Sequence, residues 1–80
     1  MTRPSRRYSV FGFDSTHDAL AAEEAIKQRG IDVLAIPRPK VLGTGCGIAL
    51  RVLPADEPAL RNVLAEAGIA WSAAGAMEDV

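Results

Sequence analysis

Apolar residues along this chain fall into short runs of two kinds, some alternating in and out and some recurring every three or four positions, with polar residues, glycine or proline between them. Tyr8-Ser9-Val10-Phe11-Gly12-Phe13 alternates loosely in β-forming residues, which predicts a first strand. Asp14-Ser15-Thr16 stops it; Asp14 or Ser15 can cap a following helix, and Asp18 suits its positive end. Ala19, Ala22, Ala25 and Ile26 then form one helical stripe opposite Glu23, Glu24, Lys27 and Gln28, until Gly30 ends it. Leu20 falls on the polar side, where it either covers a sheet edge or lines a site at that end.

Asp32 to Ile36 predicts a second strand, closed by Pro37 and Pro39, whose missing N–H groups and fixed φ cannot continue a central ladder. In a third strand Ile48, Leu50 and Val52 take one face and Ala49, Arg51 and Leu53 the other, before Pro54 breaks it. Asp56 and Pro58 mark a second helix start, and Leu60, Val63, Leu64 and Ala67 stand at helical spacing ahead of Gly68. Ile69-Ala70-Trp71-Ser72 supplies a short last strand. Ala73 to Val80 lacks periodicity and reads as a tail that frays.

The order βαββαβ belongs to an α+β, ferredoxin-like fold, with two helices on one face of a four-stranded antiparallel sheet. Its expected limits are a mobile segment over residues 1–7, a single domain over 8–72 and a tail over 73–80. In such a fold strands one and three are neighbours. The loop between strands two and three therefore returns to the end where the first helix begins, beside Gly12 to His17 and the start of the last strand.

Composition narrows the function classes. Eighty residues make one domain near the lower end of what folds unaided. Nine basic against ten acidic residues give a net charge of −1, without the concentrated positive surface that nucleic acid demands. The basic start around Arg3, Arg6 and Arg7 leads into a strand rather than a signal core, and no apolar stretch approaches membrane-spanning length, so the expectation is a cytoplasmic protein with no membrane partner. A lone cysteine fits a reducing compartment.

That cysteine, Cys46, sits in Gly43-Thr44-Gly45-Cys46-Gly47, just before the third strand. Glycines here let the loop turn sharply, expose its N–H groups and leave a small side chain open to a visitor, whereas a cysteine that only fills a core belongs within a strand or helix. The alternative reading, a small hydrophobe beside a strand, stays open. The first helix's N-terminus stabilises a nearby thiolate and can lower its pKa by roughly a unit from about 8.5. Ser15 and Thr16 lie at that helix start, Gly45 and Gly47 flank the thiol, and Arg38 and Lys40 share its loop, so all are candidates to stabilise an anion. His17, the one histidine, stands in the helix's first turn and could add charge or shuttle a proton. For each of these the bland account is a helix cap or a solvated loop.

Competing motifs fail on spacing. No Gly-Lys-Ser/Thr follows the glycines, and they precede a strand rather than a helix, which excludes a Walker loop and a dinucleotide fingerprint. One cysteine and one histidine cannot close a tetrahedral metal site in one chain, and no Cys-x-x-Cys pair is present, so no metal or cofactor is implied. Ser15, His17 and Asp18 crowd one capping segment and look like a helix start rather than a hydrolase triad. Trp71 reads as core or interface.

On Phe13-Asp14-Ser15-Thr16-His17-Asp18-Ala19-Leu20, Ile36-Pro37-Arg38-Pro39 and Gly45-Cys46-Gly47-Ile48-Ala49-Leu50-Arg51, the chain resembles a small bacterial family of selenium/sulfur carrier-like domains, from about Tyr8 to Trp71. Gly-Cys-Gly followed by an apolar strand and arginine is the most specific of these blocks. Where family members often place proline after the first strand, this chain has Asp14. The resemblance implies a carrier more than a catalyst, with Cys46 accepting sulfur or selenium from a donor such as a cysteine desulfurase and passing it to an acceptor enzyme. The alternative is a non-enzymatic small-ligand-binding or protein-interaction module in which Cys46 is structural. Two helices cover only one sheet face, so the face with Ala49, Arg51 and Leu53 is expected to pack against a second copy, as a homodimer.

Overall fold

The computed structural model describes residues 6–43 and 47–79, apart from the side chain of Asp79. Its elements are β1 Arg6–Gly12, α1 Thr16–Gln28, β2 Val33–Pro37, β3 Ile48–Val52, α2 Glu57–Ala67 and β4 Ala73–Asp79. Single 3-10 turns occupy Lys40–Leu42 and Pro54–Asp56. The sheet order is β2-β3-β1-β4 with every neighbouring pair antiparallel, which is the ferredoxin-like arrangement the element order implies.

Both helices form where stripe and cap agree. Ser15, with extended φ of −139°, is the cap of α1: its Oγ accepts the Asp18 N–H at 3.1 Å, so Ser15 rather than Asp14 satisfies the first turn. Ser15→Ala should therefore lower stability by about 1 kcal/mol, read from a urea midpoint, and an unchanged midpoint would make the cap redundant. At the far end of α2, Gly68 adopts φ +71°, a left-handed turn that lets the Ile69 N–H reach the Leu64 carbonyl at 3.0 Å. Arg29 pairs with Glu66 between the helix ends.

Alternation along the strands sorts side chains into two clusters. Toward the helices, Phe11, Leu50 and Val52 meet Ala19, Ala22, Ile26, Leu60, Val63 and Leu64, with Phe13 completing the core beyond the end of β1. On the opposite face Val10 and Ala49 are fully buried although no helix lies there. Leu42, from the 3-10 turn in the β2–β3 loop, covers them, with Ile36, Ala73 and Met77 around it. The loop therefore folds back across the sheet, and Ala49 needs no second copy to bury it. Arg51, on the same face, sets its guanidinium 4.1 Å from the Tyr8 ring centroid.

The end of the chain departs from the sequence reading. Residues 69–72 are not a strand, and Ala73–Asp79 is not a tail but the edge strand β4, paired with β1 along its whole length. Ile69 and Trp71 are apolar because they pack on the helix-side core, Trp71 edge-on to Phe11 at 5.4 Å between centroids. The Ser72 N–H then donates to the Gly12 carbonyl at 2.8 Å and starts the pairing. Small residues hid this strand: Ala73, Gly75 and Met77 face the β2–β3 loop while Ala74, Ala76 and Glu78 are exposed, so no strong alternation marks it. Arg6 and Arg7 correspondingly belong to β1, where the register sets them opposite Asp79 and Glu78.

Candidate functional site

Three segments converge at one end of the sheet because the register leaves them no choice. Gly12 is opposite Ala49 on one side and Ala73 on the other, and Pro37 is opposite Ile48. The start of α1, the β2–β3 loop and the start of β4 consequently share this end, as the topology requires.

Within the loop, proline geometry and hydrogen bonds hold a defined path. Pro37 and Pro39 restrict the backbone on both sides of Arg38. The Leu42 N–H donates to Pro39 O at 3.0 Å and the Gly43 N–H to Lys40 O at 2.9 Å, closing the 3-10 turn. Gly43 follows at φ +77°, a conformation that residues with a Cβ seldom adopt. Leu42, beneath, is 7% exposed.

Arg38 engages both flanks of the segment 44–46. Its backbone N–H donates to Gly47 O at 2.8 Å, while its side chain donates from Nη2 to Leu42 O at 3.0 Å and from Nε to Gly43 O at 3.2 Å. The guanidinium lies against Gly12, where an added Cβ would stand 2.7 Å from Nη1. The opposite side of Gly12 is occupied too, since its carbonyl accepts the Ser72 N–H at 2.8 Å and the Ser72 hydroxyl at 3.3 Å.

Of the residues singled out from sequence, Cys46 and Gly45, like Thr44, lie outside the described residues. Gly47 is exposed and faces open space. Ser15 caps α1, and Thr16 and His17 are exposed in its first turn. Lys40 is exposed in the loop. Arg38 is the candidate whose surroundings are best defined, and its donors are turned onto the loop's own carbonyls. Sequence reasoning set Gly12 at this end of the sheet without its contact to Arg38, and it gave Leu42 and Ser72 no part in the site. A glycine inside a strand pattern signals close backbone approach, which was the available clue for Gly12. A lone leucine between glycine and proline carries no periodicity to betray its burial.

Among the described residues no group of three histidine, cysteine, aspartate or glutamate side chains could hold a metal ion, and no helix is long and apolar enough to cross a membrane. A concavity of about 300 Å³ between Arg6, Tyr8, Asp32, Leu34, Arg51 and Leu53 opens at the other end of the sheet, away from the glycine loop.

The sheet and its two helices define a small α+β domain of the ferredoxin-like class. The chain belongs to the family described as "Putative Se/S carrier protein-like", which matches residues 8–74. That match takes in both helices, the β2–β3 loop and the first two residues of β4. No curated protein and no solved structure matches the chain. The family's name suggests a selenium/sulfur carrier, and with it interaction with a donor or an acceptor.

Proposed function

We propose that the protein carries sulfur or selenium as a persulfide-type adduct on Cys46, taking the atom from a donor such as a cysteine desulfurase and delivering it to an acceptor enzyme. The observation that carries this reading is that both flanks of the Cys46 segment, Gly43 and Gly47, are exposed at the end of the sheet where β1 leads into α1. Family membership supports it.

In this reaction the Cys46 thiolate attacks the terminal sulfur of a donor persulfide. A sulfur–sulfur bond forms at Cys46 as the donor's own sulfur–sulfur bond breaks, the donor cysteine leaves as a thiolate, and no external oxidant or reductant is consumed. First-turn N–H groups of α1 and backbone N–H groups of the glycine loop stabilise the anion before and after transfer. His17 takes up the proton that the Cys46 thiol loses on forming the attacking thiolate and passes it to water. The same chemistry moves selenium.

Iodoacetamide labelling against pH tests the site. Cys46 of the native protein should react with a midpoint below about 8.5, the value of an unperturbed thiol. A midpoint at or above that value, or labelling that needs denaturant, would return Cys46 to a structural role and favour an interaction module.

A further inference from the structure

We infer that the uncovered half of the open sheet face binds a small zwitterion, a free α-amino acid with an apolar side chain, between the arginines of β1 and β3 and Asp32 just before β2. The site lies at the opposite end of the sheet from the glycine loop, so it stands or falls independently of Cys46.

Alternation decides which side chains meet here. Val33 and Val52 pack into the helix-side core, so their neighbours Asp32, Leu34, Arg51 and Leu53 take the other face. On β1, Phe11 belongs to the helix side and Val10 to the open side, so Tyr8 and Arg6 share the open side with Val10. The β2–β3 loop covers the part of this face around Val10 and Ala49. Beyond it the remaining residues line a concavity of about 300 Å³, at the lower end of the range for small-molecule sites.

Charge is laid out across the strands in order. Arg6 on β1 and Arg51 on β3 supply cations, and Asp32, across β3 from Arg6, supplies the acid. Arg51 stands opposite Leu34 in the register, which makes Asp32 its diagonal neighbour, about 7–8 Å away along the sheet. Across that gap an α-amino acid offers its carboxylate to the arginine and its ammonium to the aspartate. A dianion such as phosphate suits two arginines but meets Asp32, and a simple amine suits Asp32 but meets both arginines. Between the charges Leu34 is 48% exposed and Leu53 partly so, which gives an apolar side chain a surface that takes it out of water. Arg51 is held by its face, with Cζ 4.1 Å from the Tyr8 ring centroid, and a guanidinium held in this way hydrogen-bonds through its edge. The stack sets the cation's place before a ligand arrives, which lowers the ordering cost of binding.

Amide NMR shifts of the full chain, titrated with L-leucine, isocaproate and isoamylamine, test the site. Isocaproate is leucine without its ammonium group, and isoamylamine is leucine without its carboxylate. L-Leucine should give saturable shifts at Tyr8, Leu34, Arg51 and Leu53, and should bind about fivefold or more tighter than either analogue. Asp32→Asn, at an exposed position, should bring L-leucine down to the affinity of isocaproate and leave isocaproate no weaker than before. Arg51→Gln should weaken both. Equal binding of L-leucine and isocaproate by the wild type would make this an anion site and overturn the proposal, as would phosphate binding at the same residues more tightly than L-leucine. Shifts that follow protein concentration rather than ligand would mean that a second copy covers the face, and shifts that never saturate would mean that nothing is bound there; either result overturns it. The comparison of probes on the wild type decides the matter even if a variant fails to fold.

Discussion

Given cysteine and a cysteine desulfurase, the protein is expected to gain the mass of one sulfur atom, to lose it on treatment with a thiol reductant, and to gain nothing once Cys46 is replaced by serine. A chain with one thiol has no resolving cysteine, so it cannot close an internal disulfide and release the atom unprompted. It can hold one transferable atom until a partner takes it. Serine keeps the shape of the side chain but offers no thiolate, so the expected effect is complete loss rather than a slower rate. His17→Ala should slow loading modestly if the imidazole moves the proton, and leave it unchanged if His17 only belongs to the helix start. Intact-protein mass spectrometry reads all of these. Equal loading of Cys46→Ser would sink the carrier assignment, and no adduct with several desulfurases or a selenium donor would leave the interaction module as the better account.

Leu42→Asp should peel the β2–β3 loop from the sheet. Leu42 is nearly buried over Val10 and Ala49, in a cluster that no helix shares, so a carboxylate there has to leave for water. The loop can lift off while the helix-side core stays closed, which caps the loss at about the value of burying one leucine, roughly 1.5–3 kcal/mol. Against a total stability of about 4–12 kcal/mol for a domain of this length, that is a large fraction. Two measurements read it together: a lower urea midpoint, and faster proteolytic cleavage between Pro39 and Gly47. Trp71 fluorescence should keep its native character, because Trp71 packs on the other cluster. A wild-type cleavage rate would mean that Leu42 does not anchor the loop.

The helices were the most legible part of this chain, because stripe and cap agree in each. Ala19, Ala22 and Ile26 are buried where the period placed them, as are Leu60, Val63 and Leu64, and Gly30 and Gly68 both follow the helix ends. The first three strands were legible to within a residue or two, since half-buried strands must alternate. β4 was not, because its side chains are too small to write that alternation, and the apolar pair Ile69 and Trp71 imitated a strand while serving the core.

The order of elements, and with it the end of the sheet to which the Cys46 loop returns, is set by local pattern and chain connectivity alone, since an antiparallel split βαβ admits one place for that loop. What became of the loop was decided only by tertiary contacts. Leu42 reaching beneath the sheet to Val10 and Ala49, Gly12 making room for the Arg38 guanidinium, and Arg38 turning its donors onto Leu42 and Gly43 all join residues distant in sequence or without periodic neighbours. The physical reason is that periodicity reports how one segment meets a surface, whereas a loop is shaped by the individual hydrogen bonds and contacts it finds once the sheet beneath it exists.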